Sequence, residues 1–334
     1  MLLCCSAQCV ETVPPIVHVG PIVDATAMLQ AEIDRAAAGA QIRIAPGTYY
    51  AGNLVIADKH DVELIGDGVT IVWHGRPAGD GRVGIELRGQ VSGVRISGFH
   101  LIGDGTLASR HAGVWSRSGQ TLADVEIVGN EIEHVTLGIS VNADLGGSLH
   151  RIRITDNRID DVVGTESGYG YGIHVASSQS DPLDIEVTNN RITRTQRHAI
   201  YQARGQGVRI VGNTAGEHRQ GVAIGAIRPA IVVARSHDIA VVDNVVQSHA
   251  DGGILVTAAG VPTARIALLG NTLVDAANAV PSIIIGSQDP AKEGSPTEVV
   301  IERNEVVQDH GDPLRILGDD DTRLRDNILE RRIR

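Results

Sequence analysis

The sequence predicts an all-β solenoid of about 10 coils with one capping helix near its start. Three observations predict it. A short phrase recurs along the chain: two or three apolar or β-branched residues, a small or polar residue, Asn, then another apolar pair. Between recurrences the apolar residues alternate with period two, the signature of strands, and helical periodicity is missing. The 334 residues are 42% hydrophobic and include 39 glycines but only 2% aromatics. That composition suits a narrow interior of stacked Ile, Val and Leu better than a wide globular core.

Residues 1–20 are expected to be a remnant export signal or a disordered tail. Met1-Leu2-Leu3-Cys4-Cys5-Ser6-Ala7 is apolar, but it is short and lacks a basic leading segment. A secreted or periplasmic protein is the corresponding expectation. All three cysteines, Cys4, Cys5 and Cys9, lie in this stretch, so no disulfide framework supports the rest of the chain. From residue 21 to 334 a single solenoid domain is expected. Its one helix spans about residues 26–38 (TAMLQAEIDRAAA), with Thr26 as N-cap and Gly39 near the C-cap. A helix there would cover the open edge of the first coil, which would otherwise template aggregation.

The repeat then runs through Asn130, Asn157, Asn190, Asn213, Asn244, Asn271, Asn304 and Asn327, spaced 27, 33, 23, 31, 27, 33 and 23 residues apart. Upstream, Phe99 and Asp67 occupy the same slot in the phrase. Units of this size cannot close their own core, but stacked units bury a continuous one. Gly, Asn and Asp at the corners tolerate left-handed backbone. The stacked Asn side chains are expected to form an internal ladder that satisfies buried turn amides.

The helix before Ile42–Tyr49 and the Asn repeat together resemble the right-handed parallel β-helix superfamily that includes pectate lyases. The resemblance covers about residues 24–330. It implies a single-domain right-handed parallel β-helix, and a substrate cleft on the strand that precedes the Asn-containing strand of each coil. Here those strands read Gly-Ile-x-Val or close variants. If Ile points inward, the next residue points out. The outward column is then Glu86, Trp115, Ser140, His174, Tyr201, Val232 and Leu255. Arg88, Arg117, Asn142, Ala176 and Ala203 lie one column along. Ala112, Leu137, Tyr171, His198 and Pro229 lie on the other side, flanked by His111, Thr136, Gly170, Arg197 and Arg228.

Polar and aromatic residues concentrate in the middle coils of this face: Tyr169, Tyr171, His174, Arg197, His198, Tyr201 and Arg204, with Trp115, Arg117, Asn142, Arg219 and Arg228 nearby. Three of the five tyrosines fall between residues 169 and 201. Tyrosine, histidine and arginine without paired carboxylates suit removal of a weakly acidic proton beside a carboxylate, such as C5–H of a uronic acid. The base is His or Tyr, and the planar arginine fork neutralises the carboxylate so that the enolate-like intermediate survives. If Tyr protonates the departing glycosidic oxygen, the outcome is β-elimination. Return of a proton to the opposite face of C5 gives epimerisation.

Tyr169-Gly170-Tyr171-Gly172-Ile173-His174 resembles the Tyr-Gly-Phe-Asp-Pro-His phrase of β-helical mannuronan C5-epimerases, and Arg197-His198 resembles their Arg-His pair. The resemblance implies acid–base roles for Tyr169 and His198 and a role for Arg197. It departs at Gly172, which stands in the Asp slot, and at Ile173, which stands in the Pro slot.

Other chemistries fit less well. A calcium-dependent lyase needs a carboxylate cluster on this face, where only Glu86 is visible, so no metal or other cofactor is expected. Lys59 and Lys292 fall outside the cluster. Asp160-Asp161 and Asp319-Asp320-Asp321 are expected in solvated corners, away from any hydrolytic pair. The net charge of −11 argues against nucleic acid as a partner, and no apolar stretch is long enough to span a membrane. A monomer acting on an anionic polysaccharide is expected. The leading expectation is a lyase acting on an alginate- or glucuronan-like polymer, with catalysis by His198, Tyr201, His174, Tyr169 and Arg197. Tyr171, Arg204, Arg228, Arg219, Arg117, Asn142 and Trp115 would bind substrate. A C5-epimerase is the first alternative and a non-catalytic carbohydrate-binding β-helix the second.

Overall fold

The computed structural model describes residues 10–13, 24–73, 82–104, 111–165, 168–177, 184–217, 228–247, 252–274, 280–287, 294–309, 311–318 and 321–331. Short strands stack in parallel register into three faces. On the face before the Asn corner, Ile42, Leu64, Ile96, Ile127, Ile154, Val187, Ile210, Val241, Leu268, Ile301 and Leu324 lie one above another. On the face after it, Ile132, Ile159, Ile192, Ala215, Val246, Leu273, Val306 and Leu329 do the same. The third face, the cleft sheet, stacks Ile85, Val114, Ile139, Ile173, Ile200, Ile231, Ile254 and Ile283. Apart from Leu324 and Leu329 on the last coil, which are exposed, these columns form one continuous apolar core, as expected of units that bury their faces only against their neighbours.

The asparagines form the predicted ladder. The backbone N–H and Nδ2 of Asn157 both donate to Asn190 Oδ1 at 3.0 Å, and Nδ2 also donates to the Ile127 carbonyl at 2.9 Å. Asn190 repeats the pattern toward Asn213, and Asn213 toward Asn244. Each carboxamide is buried and satisfied on both sides, so it costs nothing to desolvate. The residue before each asparagine makes the corner with left-handed backbone: Gly129, Asp156, Asn189, Gly212, Asp243, Gly270, Arg303 and Asp326 have φ between 49° and 66°. Phe99 takes the Asn slot as expected, and its N–H donates to Asn130 Oδ1. Asp67 does not. The register shifts between Ile65 and Val69, so that Val69 pairs with Phe99. Asp67 sits at this irregularity within the strand Glu63–Val72, where Arg43 meets it at 3.0 Å.

The helix, α1, spans Thr26–Arg35 and stops three residues short of the expected end. Thr26 is not its cap. The Asp24 carboxylate accepts the Thr26 N–H at 2.9 Å, while the Thr26 hydroxyl accepts from the Gly52 N–H. Leu29 and Ile33 are buried against the first coil. Gln30 both accepts from the Val55 N–H at 2.7 Å and donates to the Val55 carbonyl at 2.9 Å. Lys59 reaches back to the Asp34 and Ala36 carbonyls. The helix therefore masks the edge strand Leu54–Ala57 by satisfying its backbone. Val10–Val13, inside the segment expected to be a tail, pairs in parallel with Gln41–Ile44.

Candidate functional site

The outward column lies where period-two alternation puts it. Glu86, Trp115, Ser140, His174, Tyr201, Val232 and Leu255 are in register, while Ile139, Ile173 and Ile200 behind them are fully buried. A second column, Ala112, Leu137, Tyr171 and His198, runs beside it. Residues 171 and 174 share a face despite their odd spacing, which on a regular strand would set them on opposite faces. The pairing passes from Leu137–Tyr171 directly to Ile139–Ile173, stepping over Gly138 and Gly172. A Cβ at Gly172 would lie 2.5 Å from Ile192 Cγ2 and 2.7 Å from the Ala199 carbonyl oxygen. The glycine lets the strand fold close to its neighbour and returns His174 to the outer face.

Two adjacent strands, Tyr171–Ala176 and His198–Val211, thus carry a two-by-two block of rings. Tyr171 stacks on His198 at 5.5 Å between ring centres, only 6° from parallel. Tyr171 and Tyr201 lie 5.1 Å apart, His198 and Tyr201 5.5 Å, and His174 and Tyr201 5.6 Å. His198 Nδ1 lies 2.7 Å from the Pro229 carbonyl. A carbonyl can only accept, so Nδ1 carries a proton, and in the neutral form of the ring the lone pair is on Nε2. His174 Nδ1 lies 3.1 Å from Ser140 Oγ. Burial lowers the His174 pKa to about 4, and Asp144 opposes that shift only in part. The Tyr201 phenol is pushed up by burial and by Tyr171, against the pull of Arg235, Arg204 and Arg197. At neutral pH both groups are therefore uncharged.

Arginines ring the block. Arg197 Nη1 donates to the Tyr171 hydroxyl at 3.3 Å. Arg204 reaches across an intervening coil to Asp144, at 3.2 Å. Arg117 binds Glu86 at 3.0 Å and lies over the Trp115 ring. Arg228 is buried and donates to the Gln196 carbonyl, so it supports the turn beside His198 instead of opening onto the cleft. Arg219 lies outside the described residues. Trp115, Arg117, Leu137, Ser140, Asn142, Tyr169, Tyr171 and His174 line a cleft of about 500 Å³. Tyr169, with φ 67°, stands on a small hairpin paired with Gly164 and packs toward Trp115 and Leu137.

Two expectations about carboxylates change. Glu86 is not alone at the cleft, because Asp144 acts on His174 and holds Arg204. A signal for it existed: Asp144 follows Asn142 by two residues, which continues the outward alternation. Asp160 is not a solvated corner. It is 7% exposed and binds the Thr193 hydroxyl and Arg194. Asp161 pairs with His134 at 2.6 Å, and Asp319 and Asp320 lie outside the described residues. Among the described residues no group of three or more His, Cys, Asp or Glu could hold a metal ion.

Comparison with characterised protein sequences finds no match. Among solved structures, the A-modules of two mannuronan C-5 epimerases from Azotobacter vinelandii share the fold. They align at 18% and 15% identity over 92% of this chain and 91% and 90% of theirs, with TM-scores of 0.59 and 0.58. The endo-xylogalacturonan hydrolase of Aspergillus tubingensis aligns at 13% identity over 96% of this chain and 92% of its own, with a TM-score of 0.61. The sequence model of the "Right handed beta helix region" matches residues 67–273. With the three stacked faces, the Asn ladder and that match in agreement, this chain belongs to the right-handed β-helix family.

Proposed function

We propose that the protein is an enzyme that acts on a uronic-acid-containing polysaccharide, alginate- or glucuronan-like, and cleaves it by β-elimination. The observation that carries this reading is the block of Tyr171, His174, His198 and Tyr201 with Arg197 beside it. His198 Nε2 takes the C5 proton. Arg197, which meets the Tyr171 hydroxyl, pairs with the substrate carboxylate and steadies the charge that builds there. The electron pair of the C5–H bond becomes a C4=C5 double bond, the C4–O bond breaks with its pair leaving on the glycosidic oxygen, and the Tyr201 hydroxyl protonates that oxygen. Tyr201 takes the acid role by its place beside His198; its phenol is protonated at neutral pH, and the raised pKa makes it a weak acid that gives up its proton only to the strongly basic departing oxygen. His174, with its lowered pKa, is a weak base; bound to Ser140, it offers a neutral hydrogen-bonding wall. A glycosidase would need two carboxylates flanking the bond, whereas Glu86 and Asp144 are each already bound by arginine.

All four rings project from one sheet, so acid and base meet the sugar from the same side. Elimination needs no more than that where C5–H and the C4–O bond share a face of the ring, as in mannuronate and glucuronate. The second reading, C5-epimerisation, needs a proton donor from the other side. Tyr169, on the hairpin outside the sheet, favours it, as does the fold shared with the epimerase modules. Ultraviolet absorbance followed with alginate, pectate, glucuronan and hyaluronan tests the proposal. A rise with one polymer marks the unsaturated ends of elimination and names its sugar. No rise, with solvent deuterium appearing at C5 in heavy water, would replace the lyase with an epimerase. Binding without either change would leave a non-catalytic carbohydrate-binding protein.

A further inference from the structure

The cleft is not symmetric about the ring block. Toward the earlier coils it ends in a charged corner. Glu86 is only 3% exposed and accepts from Arg88 Nε and Nη2 at 3.1 and 2.7 Å, and from Arg117 Nε at 3.0 Å. One buried carboxylate against two guanidinium groups leaves a unit of positive charge. Arg117 spends its Nε on Glu86, and its guanidinium carbon lies 5.1 Å from the centre of the Trp115 ring. Both contacts fix the plane of the fork while Arg117 still lines the cleft. A fork held this way loses little entropy when it binds. Toward the later coils the same face turns apolar: Ala203, Val232 and Ala234 cluster with Tyr201 and Leu255.

We infer that Arg117, seated on Trp115 and oriented by Glu86, is a second carboxylate subsite. The substrate is then a run of acidic sugars that extends from the ring block toward the earlier coils. This inference rests on the polyuronate reading above. Trp115 lies three rungs from Tyr201, through Ser140 and His174, which is about 14.4 Å at the usual strand spacing. One pyranose ring does not bridge that gap, so the carboxylate at Arg117 belongs to a different sugar from the one whose proton is removed. The chain lies along the solenoid axis. A carboxylate is demanded at Arg117 on one side of the reacting sugar, while the strand face at Val232 is apolar, with Arg235 at its rim donating Nε to the Ala259 carbonyl.

The test is a calorimetric titration of the wild type, Arg117→Gln and Arg117→Lys with oligouronates of increasing length, prepared from whichever polymer of the panel the wild type binds. The wild type should show a step in affinity once the oligomer is long enough to reach Arg117. Arg117→Gln should lose that step, about tenfold on long oligomers, while matching the wild type on short ones. Arg117→Lys, which keeps the charge but not the fork, should recover part of it. Thermal unfolding confirms that the variants are folded. A step that persists in Arg117→Gln overturns the subsite and leaves the polyuronate reading intact. A wild type that binds no polymer of the panel overturns both.

Discussion

His198 and Tyr201 sit on one strand with their rings 5.5 Å apart, and the proposed chemistry assigns them opposite proton duties. Replacing either, as His198→Ala or Tyr201→Phe, should lower turnover by at least about a hundredfold. Tyr201→Phe should hardly move the midpoint of thermal unfolding, because the ring stays; His198→Ala should lower it modestly, because the buried ring holds the Pro229 carbonyl. Full turnover in both variants would remove them from the reaction. His174 makes a different prediction. Its folded pKa of about 4 lies below the ordinary value of 6.5, so protons bind preferentially to the unfolded chain. The stability from the neutral ring is complete above about pH 6.5 and is lost between there and about pH 4. His174→Gln should therefore show a shallower fall in unfolding midpoint over that window than the wild type. Gly172 explains why the epimerase-like phrase carries no Asp here: a side chain at that position meets backbone. The outward column was legible from the sequence because alternation fixes faces. The Asp144–Arg204 pair was not, because it depends on how far a long side chain reaches across a coil.

At the scale of elements, each strand depends on what lies above and below it. Asn190 donates to the Ile154 carbonyl and to Asn213 Oδ1, and it accepts two bonds from Asn157. Asn190→Ala would leave those groups buried and unmatched, at a cost of about 2–4 kcal/mol. A clear drop in the denaturant midpoint should report it. Gln30→Ala should act more locally. It uncovers both backbone groups of Val55 on the strand that α1 protects and should speed self-association on warming, followed by light scattering. The ladder was readable from sequence because its phrase recurs even though the loops between copies differ in length. The helix cap was misread because two neighbouring oxygen-bearing residues, Asp24 and Thr26, compete for the role, and only the fold places the Gly52 N–H against the threonine.

For the whole molecule, charge and shape pull in different directions. A net charge of −11 repels a polyanion at long range, so attraction must come from arginines placed at the cleft. Affinity for polyuronate should therefore weaken steadily from low to physiological ionic strength. A flat response would mean that these arginines do not touch the polymer. The same architecture governs how the protein ages. Conversion of a ladder asparagine to aspartate over time would exchange a donating amide for a carboxylate facing the next carbonyl oxygen, and one such event would split the stack into two weaker halves. The residues that follow the ladder positions are Glu131, Arg158, Arg191, Thr214, Val245, Thr272, Glu305 and Ile328. All bear side chains that hinder attack of their backbone nitrogen on the amide, and the buried, strand-flanked corners hold that nitrogen away. The polar spine is thereby shielded from the slow chemistry to which a ladder of asparagines is most exposed.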